Sequence, residues 1–155
     1  MSGSVRGWIF ALLSLTGAGS VLAQAAPPPG TPPVAELGAG MYRIAAEVAD
    51  TFQARQRGLM QRRSMPLNHG MVFVFPEDAI HCMWMKNTYL PLSVAFIDAG
   101  GRLINVADMQ PQTEDSHCAA APARFALEMN LGWFAERGIG PGALLRGFDR
   151  LPPAR

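Results

Sequence analysis

The chain has 155 residues, of which 13 are basic, 12 are acidic and 49% are apolar. This length suits one domain, and the apolar share supports a real core and excludes wholesale disorder. A net charge of +1 with no basic run gives no electrostatic basis for binding nucleic acid or an anionic membrane surface.

Residues 1–23 have the layout of a secretory signal peptide. One Arg precedes an apolar stretch, and the run Val21-Leu22-Ala23 places small side chains at the −3 and −1 positions of a cleavage site after Ala23. The apolar stretch is short and is interrupted by Gly and polar residues, which disfavours a membrane anchor. We therefore expect a periplasmic or secreted protein with no stable membrane insertion after signal cleavage.

The next segment is predicted to be a tether. Residues 24–40, QAAPPPGTPPVAELGAG, are rich in Pro, Gly and Ala and carry a single charge. A single globular domain is expected over residues 41–151, and residues 152–155 are expected to form a short frayed tail.

Hydrophobic periodicity predicts the elements of this domain in chain order. A strand is expected over residues 42–50, then an amphipathic helix over 51–63 that Thr51 caps and Gly58 weakens or ends early. Further strands are expected at 70–75, 81–86, 93–98, 102–108 and 124–129, and the tight AGG turn makes 93–108 the clearest hairpin.

A second short helix is predicted over residues 131–138 before a last strand. Asn130 can cap it, with Leu131, Phe134 and Ala135 facing inward. Six or seven strands with two short helices indicate an α+β domain, mostly β, with a compact, mainly antiparallel, barrel-like sheet.

Three runs of the sequence carry a resemblance to a known family: RGLMQRRSMPLNHGMVFVF, MWMKNTYLPLSVAFIDAGGRL and FALEMNLGWFAERGIGPG. The most specific parts are Arg-Gly-Leu-Met at 57–60, Gly-Met-x-Phe-x-Phe at 70–75 and Trp-Met-Lys-Asn-Thr at 84–88. The chain resembles the domain of unknown function 192 family over about residues 41–148. That resemblance implies a compact β-rich domain with short helices, and it brings no established activity, substrate or cofactor.

The two cysteines, Cys82 and Cys118, are predicted to form a disulfide. An isolated pair in an exported protein is more typical of a bridge than of two thiols. The bridge would close a loop of about 36 residues, worth roughly 4 kcal/mol in the chain-entropy model. The alternative is a thiol-dependent enzyme that uses Cys82, or Cys118 with His117 and Asp115 nearby. Neighbouring residues of one loop rarely point at a common reacting centre, however.

The stretch HCMWM at 81–85 combines the imidazole, thiolate and thioether groups that copper(I) prefers. In a strand, His81, Met83 and Met85 share one face and Cys82 takes the other. An alternative function is therefore a periplasmic copper(I)-handling protein that uses His81, Met83 and Met85. The commoner role of methionines in such a strand is to fill gaps in a core, so we predict no metal and no other cofactor.

Polar side chains at the end of this predicted strand form the best candidate ligand site. Lys86, Asn87 and Thr88 supply a cation, an amide and a hydroxyl, and we call these three residues the rim. Charged residues beside or at the end of apolar elements could join them: Arg57, Asp98 and Glu128. The structural alternative is that the amide and hydroxyl satisfy turn groups while Lys86 pairs with Glu128 or Asp98.

The sequence contains no metalloprotease signature, phosphate loop or nucleophile elbow, so an enzyme is less expected than a binding protein. The leading hypothesis is an exported non-catalytic module that binds a small polar ligand or a periplasmic partner protein through the rim.

Overall fold

The computed structural model describes residues 32–155 together with Met1 and Gly3. The rest of the predicted signal peptide, and residues 24–31 of the predicted tether, lie outside the described residues. Within the described part, nine strands and one α-helix follow in chain order: β1 (Val34–Ala39), β2 (Tyr42–Ala49), α1 (Phe52–Arg57), β3 (His69–Ala79), β4 (Cys82–Met83), β5 (Leu92–Ile97), β6 (Leu103–Met109), β7 (His117–Cys118), β8 (Ala123–Asn130) and β9 (Leu145–Arg146).

Seven of these strands form one sheet in the order β6-β5-β8-β3-β2-β1-β9, while β4 and β7 form a separate two-stranded ribbon. All neighbouring pairs are antiparallel except β2 and β3, which are parallel. A parallel pair needs a crossover connection, and α1 lies in the segment that makes it. The predicted hairpin over 93–108 is confirmed as the antiparallel pair β5–β6.

The sheet curls into a half-barrel whose two ends approach each other. Arg102, just before β6, forms an isolated bridge with Leu144, just before β9. The backbone N–H of Leu145 donates to the carbonyl of Gly101 at 2.9 Å. The predicted fold, mostly β with a mainly antiparallel barrel-like sheet, is therefore confirmed in its coarse form.

The central strands bury both faces, because the core divides into two clusters on opposite sides of the sheet. Inside the curl, the largest buried side chains include Leu37, Ile44, Leu127, Trp133 and Phe134. On the other face, a second cluster contains Leu59, Met71, Phe73, Met85, Val94 and Phe96. All six residues of β5 are buried, as expected for a strand covered on both sides.

The prediction of two helices is wrong, because α1 is the one α-helix among the described residues. Thr51 accepts a hydrogen bond from the Ala54 N–H at 3.1 Å and caps α1, and Gly58 ends it with φ of +47°. This helix is too short to cross a membrane, and the described residues hold no helix that could.

The segment 131–138 forms turns and a single 3₁₀ turn at Ala135–Arg137. Trp133 and Phe134 are adjacent and both buried, whereas Leu131 is 39% exposed. The predicted inward face is therefore wrong for Leu131 and also for Ala135, which is exposed. The Asn130 side chain does not cap a helix but donates to the Pro66 carbonyl at 3.1 Å.

Both predicted ends of the domain need correction. Part of the predicted tether forms β1, in which Leu37 and Ala39 are each 1% exposed. The predicted tail is held, because the Arg155 guanidinium lies 2.8 Å from the buried carboxylate of Asp50. The Arg155 backbone N–H also donates to the Asp50 carbonyl.

The strand predicted at 81–86 is shorter than expected, since only Cys82 and Met83 pair as β4. The chain then turns, with the Thr88 N–H donating to the Met85 carbonyl at 3.0 Å. Asn87 takes the left-handed conformation, with φ of +55°. This turn breaks the alternation of side chains that a continuous strand would have given.

Candidate ligand-binding cavity

A cavity of about 220 Å³ lies between α1, the segment after it, β3 and β4. We call it the Glu128 cavity, because the side chain of Glu128 forms its buried floor. Most of the surrounding side chains are apolar: Phe52, Leu59, Met60, Phe73, Phe75, Met83 and Trp84. The polar members of the lining are Arg55, Gln56, Arg57, Thr88 and Glu128.

Glu128 is the central feature of this cavity. It lies in β8, paired by the backbone with Met71 of β3 and Val94 of β5, and is only 4% exposed. Within the described part of the chain, its carboxyl group makes no hydrogen bond or salt bridge. Burial raises its pKa from 4.5 to about 8, so the carboxyl group is mostly protonated at pH 7.

Thr88 places a hydroxyl group against the same cavity and is 5% exposed. The turn at Met85–Thr88 holds it there, since the Thr88 carbonyl also accepts from the Gln112 N–H at 3.0 Å. The hydroxyl donates to the Lys86 carbonyl at 3.3 Å, a long hydrogen bond. A ligand with a better-placed acceptor could therefore accept a hydrogen bond from this hydroxyl instead.

Helix α1 brings two arginines to the cavity in different ways. The Arg55 guanidinium is held by the backbone, donating to the carbonyls of Asp50 at 2.7 Å and Val74 at 3.0 Å. Arg57 is exposed and makes no ion pair within residues 32–155. It lines the cavity at the end of α1 and is available to an anionic group of a ligand.

Two of the three predicted rim residues do not line the cavity. The Lys86 ammonium lies 3.5 Å from a carboxylate oxygen of Glu114 and 5.3 Å from the centre of the Trp84 ring. Asn87 is exposed at the tip of the turn, where its carbonyl accepts from the Gln61 N–H at 2.9 Å. Of the rim, only Thr88 faces the cavity.

Asp98 also lies apart from the cavity. Its carboxylate accepts from the N–H groups of Gly100 at 2.9 Å and Arg102 at 2.8 Å, and so shapes the turn between β5 and β6. Along β5 it is four residues beyond Val94, the partner of Glu128, which corresponds to about 13 Å. The structure thus brings together Arg57, Thr88 and Glu128 from the predicted set, without Lys86, Asn87 and Asp98.

One cysteine of the disulfide forms part of the cavity wall. Cys82 and Cys118 are directly opposite each other in the β4–β7 ribbon and are joined as a disulfide. Cys82 lines the cavity. Because both sulfurs are bonded, neither cysteine supplies the thiolate that the alternative of a thiol-dependent enzyme requires.

The residues of the copper(I) alternative have different surroundings. Met85 is fully buried in the second core cluster, and Met83 lines the cavity. The His81 ring stacks on Phe75 with centroids 3.7 Å apart, and its Nε2 lies 3.0 Å from the Glu77 carbonyl oxygen. Met83 is the one member of this set that lines the Glu128 cavity.

Sequence reasoning missed most of the cavity wall. Phe52, in the predicted amphipathic helix, is 59% exposed and lines the cavity. Nothing in the sequence distinguishes Met60 and Phe73, which line the cavity, from residues of a closed core. The acid of Glu128 within the apolar run FALEM was the one usable signal for the floor.

The fold and the site define a β-rich half-barrel domain with a small, mostly apolar cavity above a buried acid. The profile of the DUF192 family, described as "Uncharacterized ACR", matches residues 35–147. This chain belongs to that family, as the sequence resemblance predicted.

Solved structures of similar proteins agree with this assignment. A protein from Sinorhizobium meliloti 1021, described as "a putative transcription regulator", is 35% identical, with a TM-score of 0.69 over 74% of this chain and 92% of its own. A protein of unknown function from Novosphingobium aromaticivorans DSM 12444 is 29% identical, with a TM-score of 0.72 over 86% of this chain and 99% of its own. No curated protein is significantly similar to this chain.

Proposed function

We propose that this protein is an exported, non-catalytic module that binds a small molecule in the Glu128 cavity. The observation that carries the proposal is the buried carboxyl group of Glu128, which faces the cavity without a partner among the described residues. The carboxyl group opens onto the cavity, and a polar group that converges on an apolar cavity is typical of a ligand site.

The size of the cavity favours a small ligand over a segment of a partner protein. Pockets for drug-sized ligands measure roughly 300–1,000 Å³, whereas this cavity measures about 220 Å³. Thr88 beside Glu128 gives a second polar contact at depth, and Arg57 gives a cation at the exposed side. The Glu128 cavity therefore replaces the rim as the proposed binding site, and Thr88 belongs to both.

Export is the second part of the proposal. The signal-peptide layout of residues 1–23, with cleavage after Ala23, supports it. A disulfide between Cys82 and Cys118 supports it too, because such bridges persist in oxidising compartments. The regulator description of the Sinorhizobium protein is not carried over, since 13 basic against 12 acidic side chains offer no electrostatic basis for DNA binding.

The test is a screen of small amines, alcohols, amides and acids by ligand-observed NMR, followed by two cavity variants. Met60→Trp should fill the cavity and abolish binding, while Thr88→Val should weaken it about fivefold by removing one hydrogen bond. Lys86→Ala is the matched control, because Lys86 is near Thr88 but outside the cavity. Compounds that bind to Met60→Trp and to Thr88→Val as tightly as they bind to the wild type would refute a ligand site in this cavity.

A further inference from the structure

The chemistry of the cavity identifies a class of ligand, an inference that rests on the proposed function. We propose that the cavity selects small organic ammonium compounds, with the cationic group held between the Glu128 carboxylate and the aromatic rings of the wall.

The first argument is the combination of groups around the floor. A buried carboxylate gives a charge-assisted hydrogen bond to an ammonium group, and such bonds are about twice as strong as neutral ones. The rings of Phe52 and Phe73 line the same cavity, together with those of Phe75 and Trp84, on which His81 and Lys86 already lie. Aromatic faces attract cations, most strongly where water is excluded. Both features of the wall thus favour positive charge.

The second argument is the balance of charge around Glu128. Its strand neighbours Met71 and Val94 are apolar, and no other acid lines the cavity. Arg55 and Arg57 are the cations of the lining. Arg55 is engaged by backbone carbonyls, and the exposed Arg57 is screened by solvent. No cationic side chain of the cavity lining therefore pairs with Glu128 in the buried part of the cavity, and a ligand can supply the positive charge.

The third argument is the protonation state that such a ligand would change. The free cavity holds Glu128 mostly as the neutral acid, because burial raises its pKa to about 8. An ammonium ligand favours the carboxylate and so expels this proton to solvent. A neutral ligand that accepts a hydrogen bond would instead retain the proton. The two kinds of ligand therefore predict opposite dependence of affinity on pH.

The experiment compares matched amines and alcohols on the full mature chain by isothermal titration calorimetry at pH 8. The probes are butylamine with butanol, phenethylamine with 2-phenylethanol, and tryptamine with tryptophol. We expect at least one amine to bind tenfold or more tightly than its alcohol. Glu128→Gln should remove this preference, and the matched control Glu114→Gln, which changes an exposed carboxylate outside the cavity, should retain it.

The pH dependence is the second readout. These amines stay protonated from pH 6 to pH 8, as lysine does. Because Glu128 must lose its proton, the affinity for the best amine should rise about 50-fold between these pH values, and buffers of different ionisation enthalpy should reveal the released proton. In Glu128→Gln the affinity should be independent of pH.

Three results would overturn the inference: no amine binds, an alcohol binds as tightly as its amine, or affinity for the amine does not rise with pH. The proposed function has a separate outcome. If alcohols or acids bind and Met60→Trp abolishes their binding, the cavity is a ligand site and only the ammonium class is wrong.

Discussion

Replacing Glu128 by Gln should change how the stability of the protein depends on pH. In the unfolded chain this carboxyl group loses its proton near pH 4.5, whereas in the folded protein burial holds the pKa at about 8. Between these pH values the unfolded state releases a proton that the folded state retains. The free energy of unfolding therefore falls as pH rises from about 4.5 to about 8, and the contribution of Glu128 is constant at higher pH.

The magnitude follows from these two pKa values. Relative to fully protonated Glu128, the loss is about 1 kcal/mol at pH 5, about 3 kcal/mol at pH 7 and about 5 kcal/mol at pH 9. Glu128→Gln keeps the shape of the side chain but does not titrate. We therefore expect the variant to gain about 4 kcal/mol relative to the wild type between pH 5 and pH 9.

The assay is equilibrium urea unfolding at pH 5, 7 and 9, followed by circular dichroism with the disulfide intact. Glu114→Gln provides the matched control, because Glu114 is 65% exposed and its substitution should have little effect at each pH. If the wild type and Glu128→Gln differ by the same amount at pH 5 and pH 9, then the Glu128 carboxyl group titrates alike in the folded and unfolded states. The reasoning about a buried, unpartnered acid would then be refuted.

Two further predictions concern the framework of the cavity. Replacing Cys82 and Cys118 together by Ser should lower the free energy of unfolding by roughly 4 kcal/mol, measured by urea titration against the oxidised wild type. An unchanged free energy of unfolding would show that the disulfide does not restrict the unfolded chain. Gly70→Ala should destabilise the protein by roughly 1–3 kcal/mol in thermal unfolding, because the new Cβ would clash with the Glu128 carbonyl oxygen and the Met129 sulfur; an unchanged Tm would refute this close packing.

The parts of the fold that were predictable from sequence depend on local signals. The hairpin β5–β6 follows from alternating residues around a tight turn, and Asp98 completes that turn with two backbone hydrogen bonds. The helix α1 follows from Thr51 and Gly58, which mark its ends. In contrast, β1 has a tether-like composition, and its pairing with β9 joins residues more than 100 positions apart. No local pattern reveals such a contact.

The site shows the same division between local and distant information. The sequence predicted three consecutive rim residues at the end of a strand, but the left-handed Asn87 lies in a turn that places Thr88 inward and leaves Asn87 exposed. The chemical importance of Glu128 was visible as an acid within an apolar run. Its role as a floor was not, because the walls come from α1, β3 and β4, which meet only in the folded chain.

The energetic cost of Glu128 is the strongest reason to regard the cavity as functional. At pH 7 the buried acid lowers stability by about 3 kcal/mol relative to a group that does not ionise. Its neighbours across the sheet, Met71 and Val94, are apolar, and an apolar residue in this place would avoid that cost. Residues that break a local rule without a structural partner concentrate at functional sites. A ligand that pairs with Glu128 would supply the missing partner, and the loss of stability in the free protein would then be offset on binding.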